Sequence, residues 1–280
     1  MNVSPNTQQR ELAGSLLFEP PASQRRSAPC WRVRPVLVAQ LLSVPLLLAG
    51  WHVVCALGVA NPVLFPAPAQ VLSALIEYVS DGDALLDLAY SFSRVGVGYL
   101  AGALLGVLTG LFTGTRPLVA GLLSPALQLL RPIPPIAFVP VVIVWFGLSE
   151  WGKWFLVFWG VFFAVWLATH MGVQRVNENL IRAALSLGEP RSHLLWRVQL
   201  PAAAPTIVVG LRTAVSIAFY TLVAAELAGS DAGIAYRMEI AQQNMQIAAT
   251  LAGLVLLGIA SALTDKLFVA ISTRLVHWTG

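Results

Sequence analysis

The stretch RAALSLGEPRSHLLWRVQLP, Arg182 to Pro201, decides how this chain is read, because it is the longest markedly polar segment between apolar runs. Leu180, Ala184 and Leu187, with Ile181 and Leu185, share one face at helical spacing. Gly188 suits the left-handed position just past a helix end, and Pro190 suits the first position of a second helix. That second helix would carry Arg191, His193 and Arg197 among Leu194, Leu195, Trp196 and Val198, and Pro201 would restart the chain. A short amphipathic helix pair between two apolar spans is either a plain interfacial connector or a docking element for a soluble partner.

Composition fixes the setting. The 280 residues are 57% hydrophobic and 11% charged, with a mean hydropathy of +0.75. A water-soluble domain carries about a quarter charged residues. The apolar runs are too long and too uniform for barrel strands, so the class is an all-α integral membrane protein. The net charge of +4 therefore reports loop orientation rather than nucleic-acid binding. Cys30 and Cys55 build no disulfide framework, the four histidines are scattered, and no GxxxxGK[ST] phosphate loop occurs. Any ATP must be used by another subunit.

Residues 1–35 read as a flexible basic cytoplasmic tail, and residues 36–280 as the transmembrane domain. Six spans are expected, at about 36–59, 84–113, 118–146, 154–173, 202–227 and 247–271. Gly58-Val59-Ala60 resembles a signal-peptidase site, but the long run and extended tail argue for an uncleaved span. With both termini inside, the inner segments hold eleven arginines: Arg10, Arg25, Arg26, Arg32, Arg34, Arg116, Arg175, Arg182, Arg191, Arg197 and Arg274. The outer loops hold Lys153 and Arg237, an asymmetry that places Arg182 to Pro201 in the cytoplasm.

Three further features stand out. Gly98, Gly102, Gly106, Gly110 and Gly114 recur every fourth residue, a row that admits close helix approach, within the chain, to a second copy, or as a sliding surface. RPIPPIAFVP sets Pro132, Pro134, Pro135 and Pro140 inside the third span, where broken backbone is tolerated if buried in protein or lining a cavity. Arg94, Arg131, Arg212 and Glu226 are ionisable groups within or near spans. They pair structurally, Glu226 with Arg94 and Asp87 nearby, or the arginines attract an anion while Glu226 serves an outer gate. A secondary transporter would want mid-membrane carboxylates and inverted repeats, and an enzyme would want clustered polar groups; neither pattern is evident.

The spacing Ala183-Ala184, Gly188, nine residues, Val198-Gln199-Leu200-Pro201 resembles the EAA loop of ABC importer permeases, with Arg182 at the position of the motif's glutamate. NPVLFPAPAQVLSAL, SFSRVGVGYLAGALLGVLTG, LQLLRPIPPIAFVPVVIVWFGLSEWGK and LVAAELAGSDAGIAY are similar to the nitrate, alkanesulfonate, taurine and bicarbonate permease group. The resemblance implies the type I (MetI-like) six-helix fold in the bacterial inner membrane, with both termini cytoplasmic. It implies a homodimer in lipid, two ATPase subunits that use ATP and Mg, and a periplasmic or lipid-anchored substrate-binding protein. This chain would bind no cofactor, metal or nucleic acid, and would not be an enzyme.

Coupling to the ATPase then falls to a loop at about 177–201, with Arg182, Ala183, Ala184, Gly188, Glu189, Arg191, Val198, Leu200 and Pro201 as the contact residues. The translocation pathway falls to Arg131, Pro132, Pro134, Pro135, Arg212 and Glu226. The solute expected is a small anion of the sulfonate, taurine, nitrate or bicarbonate type, and the alternative is a heterocyclic or aromatic nutrient.

Overall fold

The computed structural model describes residues 33–58, 61–191 and 193–275. The bulk of the expected tail and Val59-Ala60 of the signal-peptidase resemblance lie outside them. The chain divides at Val53/Val54 into two units. Among the described residues the first consists of most of helix α1, Val33–Ala56, an uncharged apolar helix beyond Arg34 with Pro45 inside it.

The second unit begins with α2, Pro68–Ser80, which has proline in its first turn and a Gln70 side chain accepting from the Ala67 N–H. It continues through α3 (Asp83–Thr115), α4 (Pro117–Leu130), a single 3-10 turn (Pro135–Phe138) and α5 (Val139–Phe146). After these come α6 (Glu150–Gln174), α7 (Glu178–Ser186), a π-type turn (Leu195–Gln199), α8 (Leu200–Leu227), α9 (Ile234–Gln243) and α10 (Ile247–Leu275). Among the described residues, four helices are long and apolar enough to cross a membrane: α3, α6, α8 with its leading turn, and α10. The expected third span is a helix pair, Pro117–Leu130 and Pro135–Phe146, bent by 85°. Pro132, Pro134 and Pro135 remove three backbone donors in four residues, and Pro134 is held extended ahead of Pro135, so a straight helix cannot form.

The glycine row sets the bundle. A Cβ at Gly98, Gly102, Gly106, Gly110 or Gly114 would lie 2.5–2.9 Å from Val157, Val161 or Val165, Thr169 or Val173, or from the adjoining α6 backbone. The row is therefore filled by this chain's own α6. Each contact pairs residues the same distance apart in sequence, so α3 and α6 run parallel. The bent pair must then return from one end of α3 to the other, which makes it a crossing rather than a loop that re-emerges where it entered. Gly160 against Thr221, Gly172 against Thr206 and Gly210 against Ala168 set α8 antiparallel to α6 with the same closeness.

A core of Val157, Val161, Val165, Ala214, Ala218 and Leu222 fills the α6–α8 seam. Buried Trp166 donates its indole N–H to Thr113 Oγ1 at 3.1 Å, which satisfies the polar atom the apolar seam would otherwise strand. One end of the bundle thus gathers the close of α3 and α6, the start of α8 and residues 175–199. The opposite, far end gathers the starts of α3, α6 and α10 with α9.

Candidate functional site

The polar stretch that opened the sequence forms a folded projection. Asn177 caps α7 by accepting from the Asn179 N–H at 2.9 Å. The helix closes in a Schellman motif: Gly188, at φ +88°, donates to the Leu185 carbonyl, and Glu189 donates to the Ala184 carbonyl, each at 3.0 Å. A left-handed φ here favours glycine over other residues. The second helix does not begin at Pro190. The His193 N–H donates to the Pro190 carbonyl at 2.9 Å, a turn bond, and helix starts at Leu194.

Pro201 does not restart the chain either. It sits in the first turn of α8, continuous with the π-type turn, whose wider winding relieves the clash of the proline ring with the Arg197 carbonyl. Leu195 and Leu200 pack on the core of Leu111, Val173, Ala203 and Ile207, so this half is anchored in the bundle.

The α7 half presents its apolar side chains outward. Leu187 is 89% exposed, and Leu180, Leu185 and Trp196 are exposed as well, whereas Ile181 and Ala184 are half-buried. Arg182 pairs with Glu178 one turn earlier at 2.8 Å, both side chains in water. Such a pair contributes about 0.3–0.5 kcal/mol. Glu189 receives Arg197 at 3.1 Å and faces His193 Nδ1 at 3.3 Å, which staples the turn to the anchored half.

Arg131, Pro132, Pro134 and Pro135 come together on a cavity of about 460 Å³, opposite Trp159, Phe163 and Tyr220. The Trp159 indole donates to the Ile133 carbonyl at 3.4 Å and its ring lies 4.3 Å from that of Phe138. The Ile133 carbonyl, left without a helical partner where Ala137 bonds to Pro134 instead, is thereby satisfied, and the bent segment is tied to α6.

Arg212 and Glu226 lie elsewhere. Arg212 forms a two-pronged pair with Asp265 of α10, 2.8 Å on each prong, with the Arg212 side chain 54% exposed. Its charge is therefore matched. Glu226 is fully buried at the far end. It accepts from Ser91 Oγ at 2.6 Å, Arg94 Nη1 at 2.9 Å and the Ala235 N–H at 2.8 Å.

Arg94 also grips both oxygens of Glu150 at 2.8 Å and donates to the Ala232 carbonyl at 2.6 Å. Asp87 accepts from the Gly233 N–H, Arg237 and Tyr78. Burial and that donated hydrogen bond push the Tyr78 phenol above its ordinary range. The network joins α3, α6, α8 and α9 through groups whose charges are almost all paired. Glu150 and Asp265 were not singled out from the sequence, although each is a lone carboxylate beside or within an apolar helix, which is itself the signal.

Four span-length helices, a bent fifth crossing, an open cavity beside it and an amphipathic projection at one end define a multi-pass membrane transport subunit. The family described as binding-protein-dependent transport system inner membrane component matches residues 102–277, and the chain belongs to it.

The taurine transport system permease protein of Escherichia coli (strain K12) is 32% identical over 271 residues, 95% of this chain and 98% of that one. A Bacillus subtilis (strain 168) chain named for aliphatic sulfonates transport is 33% identical over 238 residues, covering 85% and 86%. In solved structures, the MetNI methionine ABC transporter in an inward-facing conformation has the same fold. Its TM-score is 0.52 at 18% identity, over 72% of this chain and 96% of that chain.

Proposed function

We propose that this chain is the permease of an ATP-driven importer and that two copies of its six-span domain, residues 36–280, form the pathway. In this reading both termini and residues 177–201 lie in the cytoplasm of a bacterial inner membrane. Two separate ATPase subunits hold the ATP and Mg, a substrate-binding protein delivers solute to the far end, and the permease catalyses nothing itself.

The observation that carries this is the α7 projection: an apolar helix face turned to water on the arginine-rich end of a membrane bundle. Leaving such a face open is unfavourable unless a partner covers it. Arg182, Ala183, Ala184, Gly188, Glu189 and Arg191 form the outer part of this contact, and Val198, Leu200 and Pro201 root it in the bundle. Displacement of the projection by the partner reaches α8 directly, because the π-type turn joins them without a break. A partner shifts the conformational balance by as much as it binds one state better than the other.

For the solute, the cavity edged by Arg131 and the broken segment supports a small anion of the sulfonate, taurine, nitrate or bicarbonate type, in keeping with the relatives named for taurine and aliphatic sulfonates. The aromatic wall of Trp159, Phe163 and Tyr220 also suits an aromatic or heterocyclic nutrient, which is the second reading.

The test is association. The full chain should copurify with a Walker-motif ATPase, and Gly188→Trp should abolish that association and uptake while the protein still inserts. Normal uptake by this variant would refute the docking assignment.

A further inference from the structure

The charge on the projection is one-sided. Between Arg175 and Pro201 there are four arginines and two glutamates, Glu178 and Glu189, a surplus of two positive charges with His193 neutral. Both glutamates are engaged inside the projection, Glu178 by Arg182 and Glu189 by Arg197 and His193. Arg175 and Arg191 are exposed and have no ion-pair partner among the described residues. The approaching surface therefore meets exposed Leu187, the unpaired guanidinium groups of Arg175 and Arg191, and carboxylates that are each already held by an arginine.

We infer that this projection seats in an acidic recess: the ATPase presents carboxylates to Arg182 and Arg191 around an apolar pocket for Leu187. The inference rests on the docking reading above and specifies the chemistry of the partner. The Arg182–Glu178 pair is solvent-exposed and weak, so Arg182 can exchange Glu178 for a partner carboxylate at little cost. The contact geometry suits arginine, whose planar fork grips a carboxylate with two parallel hydrogen bonds.

A recess carrying basic side chains would be repelled by the same surface, so the charge pattern also selects among ATPases. In a cell with several importers of similar fold, the apolar contact gives adhesion and the arginines give partner choice.

The probe is the ATPase subunit that copurifies with the full-length chain, measured against the chain in lipid nanodiscs from about 50 to 500 mM NaCl, a range that shortens electrostatic reach several-fold. Wild-type association is expected to weaken with salt. Arg182→Glu with Arg191→Glu should weaken it about tenfold at low salt, with the difference fading at high salt. Leu187→Ala should weaken it at every salt concentration. A compensating carboxylate→Lys change in the ATPase recess should restore the doubly reversed permease.

Loss on Leu187→Ala with no effect of charge reversal and no salt dependence would overturn the acidic recess while leaving docking in place. Indifference to Leu187→Ala, Gly188→Trp and charge reversal together would overturn the docking reading itself.

Discussion

Glu226 offers the sharpest separation of a structural from a transport role. Its carboxylate is fully buried and accepts from Ser91, Arg94 and the Ala235 N–H. Replacing it by methionine keeps the volume but leaves Arg94 short of one anion and orphans the Ala235 N–H. Removing one member of a buried pair costs about 3–5 kcal/mol. Arg94 retains its two-pronged grip on Glu150 and its bond to the Ala232 carbonyl, which argues for the lower end, about 3 kcal/mol.

For a chain of this size each kcal/mol moves Tm by about 2–4 °C, so Glu226→Met should lower it by about 6–12 °C. Thermal unfolding in detergent micelles, followed by loss of monodisperse protein, reads this directly. Arg94→Met should fall at least as far, because it strands the fully buried Glu226, while partly exposed Glu150 keeps Lys153 at 2.8 Å. The double variant should lose less than the two singles summed, since an ion pair replaced on both sides by apolar groups leaves less charge uncompensated. A Glu226→Met shift below about 2 °C, with uptake lost, would refute the structural assignment and return Glu226 to the pathway.

Gly106→Leu should destabilise by at least about 1–3 kcal/mol, because its Cβ already meets the Phe162 carbonyl and Val165 at 2.9 Å, whereas Gly121→Ala, with open space around it, should be neutral. Limited proteolysis of the two variants side by side checks this. Arg131→Gln should cut uptake of a sulfonate at least tenfold without loosening the ATPase, since a cavity contact to an anion is worth more than about 1.4 kcal/mol. Unchanged sulfonate uptake in that variant would remove Arg131 from the pathway, and Arg212→Gln, which strands Asp265 instead, should show its first effect in thermal stability.

Much of this arrangement was legible in the chain as written, and the parts that were not share a cause. The glycine row announced a close helix contact because a period of four is a property of one helix. Gly188 announced its left-handed turn for the same local reason. The pairing of Arg94 with Glu226 could be proposed because both sit within an apolar setting that demands partners.

Pairings that depend on how two helices are rotated against each other were not visible. Arg212 lies about 16 Å past Pro201 and Asp265 about 15 Å before Leu275, so their matching depth could have been computed, but not that they face one another. At Pro190 the sequence is ambiguous, since a proline that can open a helix can equally close a turn, and the burial of Leu194 and the packing of Leu195 in the bundle decide for the turn.

The bent crossing has a mechanical meaning. Helices α3, α6 and α8 touch backbone to backbone along their glycines and are pinned by paired charges at the far end, so they form a stiff plate. The segment from Arg131 to Pro135 lacks continuous helical bonding and leans on the plate through the Trp159 indole. In a body of unequal stiffness, deformation concentrates where the compliance is. In the docking reading proposed above, a push delivered at α7 would pass through the plate and be taken up at this break beside the cavity, where a small angular change opens or closes the most space.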